Sequence, residues 1–337
     1  MIVPVFLPHL GCTDRCIYCD QGCITDVYSH DVPSLIKKSL EKVGGKYEVG
    51  LFGGNIFNIE PSVLKTLFKY FDSFSESILN FRISTKPVPL NSETIRILKE
   101  NRVTVIELGM PVFNDAILKK LNRGHTVEDF YRAFHLLKNE GFDVALQVMA
   151  GLPDETMIDI REAAEHIIRL SPHYIRIYPL VVLKDTPLHI MYESGLFVPL
   201  QFEEAIERAT YIYLNALKNG VKTVKMGLTD NEIIKESIVA GQFHPAFGYM
   251  VKSQAFYLAV KTNIDIASIK GNATVKLNSA DIPHLIGHKR MNIERFKEQG
   301  IYVTWEGQDI EKGSFILYSS RTIIKGDIFD ALLTFSR

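Results

Sequence analysis

The order of the residues predicts an α/β fold: a partial (β/α)6 barrel followed by a smaller α+β domain. Three observations lead there. Six short β-rich runs alternate with helical patterns, the signature of a parallel sheet. Runs such as Val144 to Met149 are almost continuously apolar, which suits strands with helices on one face and a closed interior on the other. The final ~70 residues then change rhythm. With 337 residues, 46% hydrophobic, the chain can bury a large core and a smaller second one.

The six runs are Ile2 to Leu7, Glu48 to Phe52, Ile78 to Ser84, Val103 to Leu108, Asp143 to Ala150 and Tyr174 to Tyr178. Between the fourth and fifth, Thr126 and Asp129 form a capping box, Val127, Phe130, Phe134 and Leu137 make an apolar stripe, and Gly141 ends the helix. Asp154, after Gly151-Leu-Pro153, reads as the N-cap of the next helix. These elements define a barrel over residues 1–200, with its chemistry expected at the C-terminal ends of the strands. Residues 201–268 read as a helical linking region that opens with an amphipathic helix from Phe202 to Leu217. Over 269–337 follow a strand (Ala273 to Leu277), two helices (Ala280 to Ile286, Asn292 to Gln299), strands at Ile301 to Trp305 and Ser314 to Tyr318, and a last helix from Asp327 to Phe335.

Lys and Arg number 38 against 39 Asp and Glu, so overall charge gives no argument for nucleic-acid binding, although a local basic patch is compatible with it. No apolar run reaches the ~18 residues of a membrane span. The first ten residues lack a basic leader and carry Pro4 and Pro8, so a cytoplasmic location with no membrane partner is expected.

All four cysteines, Cys12, Cys16, Cys19 and Cys23, fall within the first 23 residues, directly after the first strand. A disulfide framework would spread its cysteines to close long loops. Thiolates separated by three and then two residues can converge from one loop on an iron-sulfur cluster or a zinc ion. A tetrathiolate zinc knuckle using Cys23 is the plainer alternative. Bacterial ferredoxin spacing does not match, since it begins with two intervening residues and ends in Cys-Pro, whereas Asp20 follows Cys19 here.

Several strands carry polar residues in apolar surroundings: Arg82 and Ser84, Glu107, Gln147, and Arg176. Any one of them can be explained by a partner inside the barrel. Taken together, they favour a polar ligand in the lumen.

Cys12-Thr-Asp-Arg-Cys16-Ile-Tyr18-Cys19 resembles the signature of the radical S-adenosylmethionine (SAM) superfamily. The resemblance implies that Cys12, Cys16 and Cys19 hold a 4Fe-4S cluster whose fourth iron is left for SAM. It also implies that Tyr18 lies beside the adenine and that Cys23 is a free thiol. Gly53-Gly54-Asn55, after the second strand, matches the turn that binds the SAM amino group in such enzymes. Glu107-Leu-Gly109, Leu121-Asn-Arg123-Gly-His125 and Leu146-Gln147 through Pro153 resemble the branch containing the Elongator catalytic subunit and oxygen-independent coproporphyrinogen oxidase. In that branch Arg123 would bind the SAM carboxylate, and Gln147 its ribose or methionine part. Ser84 and Glu107 join the cofactor-binding set. Where members often carry Gln, this chain has Pro111. The resemblance covers roughly residues 1–200 and implies a one-electron donor such as ferredoxin or flavodoxin.

Ile286 to Ile293 resembles the helix-loop-helix of a KH domain, which grips nucleotides through a Gly-x-x-Gly loop. Here the loop reads Gly287-His288-Lys289-Arg290 and lacks the second glycine. Residues 270–297 carry six Lys or Arg against two acids, which suits phosphate contacts. No acetyltransferase-like or cobalamin-binding motif follows the barrel. The expected function is radical SAM modification of RNA, with tRNA as substrate. The competing readings are a radical SAM enzyme acting on a small molecule such as a tetrapyrrole, and a non-catalytic zinc or iron-sulfur RNA-binding protein.

Overall fold

The computed structural model describes all residues except 26, 28–30, 229–231, 242, 321 and 337. The chain divides into two compact units, Met1–Gln201 with Val221–Pro245, and Phe202–Gly220 with Ala246–Arg337. Among the described residues, no helix is long and apolar enough to cross a membrane.

In the first unit, strands β1 (Ile2–Phe6), β2 (Tyr47–Phe52), β3 (Ile78–Thr85), β4 (Val103–Gly109), β5 (Asp143–Ala150) and β6 (Ile175–Pro179) occupy the six expected places. Past the short β7 (Val181–Leu183), β8 (Thr223–Met226) adds a seventh strand to the sheet. Among the described residues the order is β1-β2-β3-β4-β5-β6-β8, every pairing parallel, a curled half-barrel left open between β1 and β8. A small antiparallel pair joins β7 to β9 (Ile238–Gly241). The parallel strands are Val/Ile/Leu-rich because helices cover their outer face.

The helix Val127–Asn139 begins at the expected capping box, with Thr126 and Asp129 bonding reciprocally. The next helix, Met157–Leu170, does not begin at Asp154. Thr156 is its N-cap and forms a second capping box with Asp159, which also accepts from Asn114 Nδ2 at 2.8 Å. Asp154 sits in the turn before it at φ +63° and pairs with Lys120 at 2.6 Å. A hydroxyl can cap as well as a carboxylate, and here the Asp three residues into the helix completes the Thr cap.

The second unit holds a four-stranded sheet ordered β11-β10-β12-β13, made of β10 (Gly271–Leu277), β11 (Ile301–Gly307), β12 (Ser314–Tyr318) and β13 (Ile323–Asp327). The two helices Ile282–Ile286 and Met291–Glu298 carry the chain between the parallel neighbours β10 and β11. The expected last helix is preceded by β13, an edge strand, and is itself a 3-10 segment, Ile328–Ser336. Val275, Leu277, Leu285, Phe296, Phe315 and Leu317 pack with Phe256 and Val260 of the helix Phe247–Ile266. That helix buries residues on all sides, as a central helix does.

Candidate functional site

A cavity of about 480 Å³ lies inside the first unit, on the inner face of the half-barrel. Cys12, Cys16, Tyr18 and Cys19 line it from the loop after β1, and Gly53 and Gly54 from the turn after β2. Ser84, Glu107, Gln147 and Arg176 line it from β3 to β6, and Arg123 reaches it from the loop that follows β4 and the helix Asp115–Lys120. Thus ten of the eleven residues expected at a cluster and its sulfonium ligand meet in one space.

Asn55 is the exception. It is buried, and its Oδ1 accepts from Thr85 Oγ1 at 2.8 Å and Lys86 N at 3.3 Å, so the side chain ties the end of β3 to the β2 turn behind the cavity wall. The glycines beside it permit a close approach of two loops. A Cβ on Gly54 would collide with the Leu10 carbonyl, and one on Gly11, at φ +75°, with the Asn55 carbonyl. Side chains at either place would push the cysteine loop away from the sheet.

Arg123 is the centre of the thiol end. Only 7% exposed, its Nη1 donates to Cys16 Sγ and Tyr18 Oη, both at 3.2 Å, and its Nη2 to the Gly109 carbonyl. Burial by itself would raise the Cys16 thiol, but the charges of Arg123 and Lys86 outweigh it and hold its pKa below the ordinary thiol value. Burial pushes Cys19 up to about 12, with the neighbouring Cys16 adding to the shift, and Gln21 Nε2 donates to its sulfur at 3.2 Å. Burial also raises Cys12. Burial thus makes the protons of Cys12 and Cys19 harder to displace on metal loading. Cys23 is elsewhere: 3% exposed, it packs with Val181, Leu183 and Ile234.

The strand residues form a band across the sheet. Ser84 Oγ donates to Glu107 Oε1 at 3.0 Å, and Arg176 Nε stands 2.9 Å from Glu107 Oε2. Glu107 is 1% exposed, and burial raises its pKa against the pull of Arg176. Arg82 pairs with Glu48 at 2.6 Å and does not line the cavity, so of the polar strand residues it says least about a ligand. Lys86, Arg15, Gln21, Tyr178 and Lys225 also line the cavity and were not singled out from sequence. Lys86 directly follows β3, so the strand-end rule could have found it. A lone cation in a loop carries no pattern.

Residues 6–167 match the model of the radical SAM superfamily, and residues 172–255 that of the radical SAM C-terminal domain. The chain belongs to the radical SAM superfamily. Radical SAM proteins use a 4Fe-4S cluster and SAM, the two cofactors that the resemblance of the cysteine motif implied. Among curated relatives, a tRNA uridine(34) acetyltransferase of Methanocaldococcus jannaschii is 30% identical over 156 residues, which is 45% of this chain and 29% of that protein. The heme chaperone HemW of Bacillus subtilis is 26% identical over 207 residues, 58% of this chain and 55% of that protein. The chain thus spans between about a quarter and about half the length of these relatives. The structure of the archaeal Methanocaldococcus infernus Elp3 with an N-terminal deletion superposes with a TM-score of 0.56 at 20% identity, over 98% of this chain and 75% of that one, a likeness of fold.

The donor set fits the radical SAM cluster. Among the described residues, no three His, Cys, Asp or Glu side chains stand close enough to hold a single metal ion. A tetrahedral zinc with 2.3 Å bonds needs sulfurs roughly 3.8 Å apart, whereas a cubane is gripped by more widely spaced thiolates. Three thiols from one loop lining a common cavity suit an iron-sulfur cluster.

Residues 287–290, expected at RNA, lie in the second unit. Gly287 has φ +80°, and a Cβ there would come within 2.9 Å of the Asn292 side chain. Asn292 is buried and donates to the His284 and Leu285 carbonyls and to Ser253, which locks the turn. Lys289 and Arg290 both adopt left-handed backbone conformations and are exposed, with the Arg290 guanidinium 5.5 Å from the Trp305 ring centroid. His288 is half-buried beside them.

Proposed function

We propose that the protein is a radical SAM enzyme that modifies a nucleoside of tRNA, with Cys12, Cys16 and Cys19 as cluster ligands. The observation that carries the enzyme reading is the single cavity into which those three thiols and the polar strand residues open. Cys12, Cys16 and Cys19 would hold a 4Fe-4S cluster there, which together with SAM would supply one-electron radical chemistry toward the substrate.

The chain's own residues have separable tasks. Arg123 and Lys86 favour the thiolate of Cys16 and so favour loading. Gly11 and Gly54 let the cysteine loop lie against the β2 turn. Gln147 and Ser84 offer hydrogen bonds to the cofactor from the strands, and Tyr18 supplies a ring beside it. Burial holds the Tyr178 hydroxyl neutral up to about pH 12, so it acts as a donor within the cavity. Phe6, Phe52, Met149, Leu180 and Val181 add apolar patches to the wall, which limit water beside the reacting atoms.

The tRNA assignment is supported by the relative named as a tRNA uridine(34) acetyltransferase and by the exposed Lys289-Arg290 turn in the second unit. A one-electron donor such as ferredoxin or flavodoxin is required, and cytoplasmic residence goes with a tRNA substrate. The test is mass spectrometry of tRNA nucleosides from cells with and without the protein. A modification missing only in the deletion, restored by the wild-type gene and not by Cys16→Ala, supports the assignment. Identical nucleoside profiles together with altered tetrapyrrole pools would move it to the small-molecule alternative.

A further inference from the structure

The sulfurs of the cysteine loop differ in what donates to them. Cys16 accepts from the charged Arg123, whereas Cys19 accepts from a neutral amide, Gln21 Nε2 at 3.2 Å. Gln21 stands two residues past the last sulfur of the signature, opens the helix Gln21–Thr25 and lines the cavity.

Gln21 is held from three directions. Its backbone N–H donates to His9 Nε2 at 3.2 Å, its carbonyl accepts from Thr25 Oγ1 at 2.6 Å, and its amide oxygen lies against Gly53, where a Cβ would come within 3.3 Å of it. His9 is fixed in turn. Its N–H donates to the Gly53 carbonyl at 2.7 Å, and its carbonyl accepts from Cys12 N at 2.9 Å. It does this at φ +57°, a left-handed conformation that strains a residue with a Cβ. The start of the cysteine loop, its end and the β2 turn therefore meet at one His–Gln pair, and the amide is left with its nitrogen toward Cys19.

The side that faces the sulfur matters. An iron-bound sulfur carries no proton and can only accept, and an amide offers it an N–H without adding a charge. Hydrogen bonds to the sulfurs are among the factors that set the reduction potential of an iron-sulfur cluster. An added electron makes those sulfurs more negative and strengthens each bond they accept, so a donor favours the reduced form.

We propose that Gln21 is a positioning residue that acts through Cys19: its N–H···Sγ bond raises the reduction potential of the cluster and so eases its reduction by a one-electron donor of the ferredoxin or flavodoxin class. The inference rests on Cys12, Cys16 and Cys19 holding a cluster, as in the function proposed above. One electron passes from the donor protein to the cluster, and Gln21 neither gains nor loses a proton. Loss of the bond should shift the ratio of reduced to oxidised cluster about ten-fold at a given potential, which for a one-electron couple is about 59 mV toward more negative values.

The test is a redox titration of the anaerobically reconstituted full chain without SAM, followed by the electron paramagnetic resonance signal of the reduced cluster, with iron per chain measured on the same samples. Gln21→Met keeps the length of the side chain and removes the donor, and its midpoint should fall by about that ten-fold equivalent. Gln21→Lys keeps a donor and adds a positive charge, and its midpoint should rise above wild type. A residue that merely supported the loop would lower iron in both variants and leave the midpoint of the clusters that do form unchanged. A wild-type midpoint in either variant, a midpoint below wild type in Gln21→Lys, or loss of iron from both overturns the tuning role; should Gln21→Met alone fail to load, Gln21→Lys decides. A wild type that takes up no iron would instead sink the cluster reading itself.

Discussion

Replacing Arg123 with Met removes a side chain that joins the cysteine loop to the end of β4. The guanidinium makes three hydrogen bonds from a nearly buried position, to Cys16, Tyr18 and Gly109. At about 1 kcal/mol net each, less the gain from burying the Met side chain, the loss is roughly 2–3 kcal/mol. For a unit the size of the half-barrel, 1 kcal/mol corresponds to about 2–4 °C in melting temperature, so a fall of roughly 4–12 °C is expected in the apo protein. The same substitution removes the main charge that holds the Cys16 thiol below its ordinary pKa. Each unit of upward shift cuts the thiolate about ten-fold near neutral pH. Iodoacetamide labelling, followed at Cys16 by peptide mass spectrometry, should slow, and reconstituted iron should fall. Arg123→Lys keeps the charge but cannot reach Cys16 and Gly109 together, so it should fall between the two. A melting temperature within about 1 °C of wild type, with unchanged Cys16 labelling, would refute the role given to this residue.

Gly11→Ala and Gly54→Ala should each displace the cysteine loop, at a cost of about 1–3 kcal/mol, and lower iron per chain by more than half. Normal iron content in both would remove the packing argument. Asp159→Ala should cost about 1 kcal/mol at pH 7 through the lost cap and the lost bond from Asn114. Burial would raise the Asp159 carboxyl, but its bonds from Thr156 and Asn114 lower it below its usual value of 3.8. Its stabilisation is therefore complete above about pH 4 and lost as pH falls through the depressed value, and the wild-type advantage over Asp159→Asn should vanish there. Reversing Lys289 and Arg290 to Glu should weaken tRNA binding and reduce the salt slope by up to about two, which filter binding across a salt series would measure. An unchanged slope removes that turn from the RNA surface.

Where the fold was legible, the reason is physical. Six strands of the half-barrel carry mainly apolar runs long enough to rise above their surroundings, and a capping box marks the helix Val127–Asn139 between two of them. The seventh strand, Thr-Val-Lys-Met at 223–226, is too short, and Lys225 interrupts it. β13 was hidden because it is an edge strand with none of its residues buried, so it reads like a loop. At the site, cysteine spacing and polar residues inside apolar runs marked the cavity correctly, since burial makes such residues costly without a purpose. Lys86, Arg15 and Lys225 are single cations on a chain with 38 of them, and only the fold distinguishes these three. Asn55 went the other way: its position after two glycines looked like a ligand turn, while its amide is used to join β3 to β2.

Anaerobic reconstitution with iron and sulfide, followed by reduction in the presence of SAM, tests the central claim most directly. About four irons per chain and release of 5′-deoxyadenosine are expected from wild type, with both lost in Cys12→Ala, Cys16→Ala and Cys19→Ala and both kept in Cys23→Ala. A colourless protein holding one tightly bound zinc, or a loaded protein that never cleaves SAM when reduced, would contradict the account.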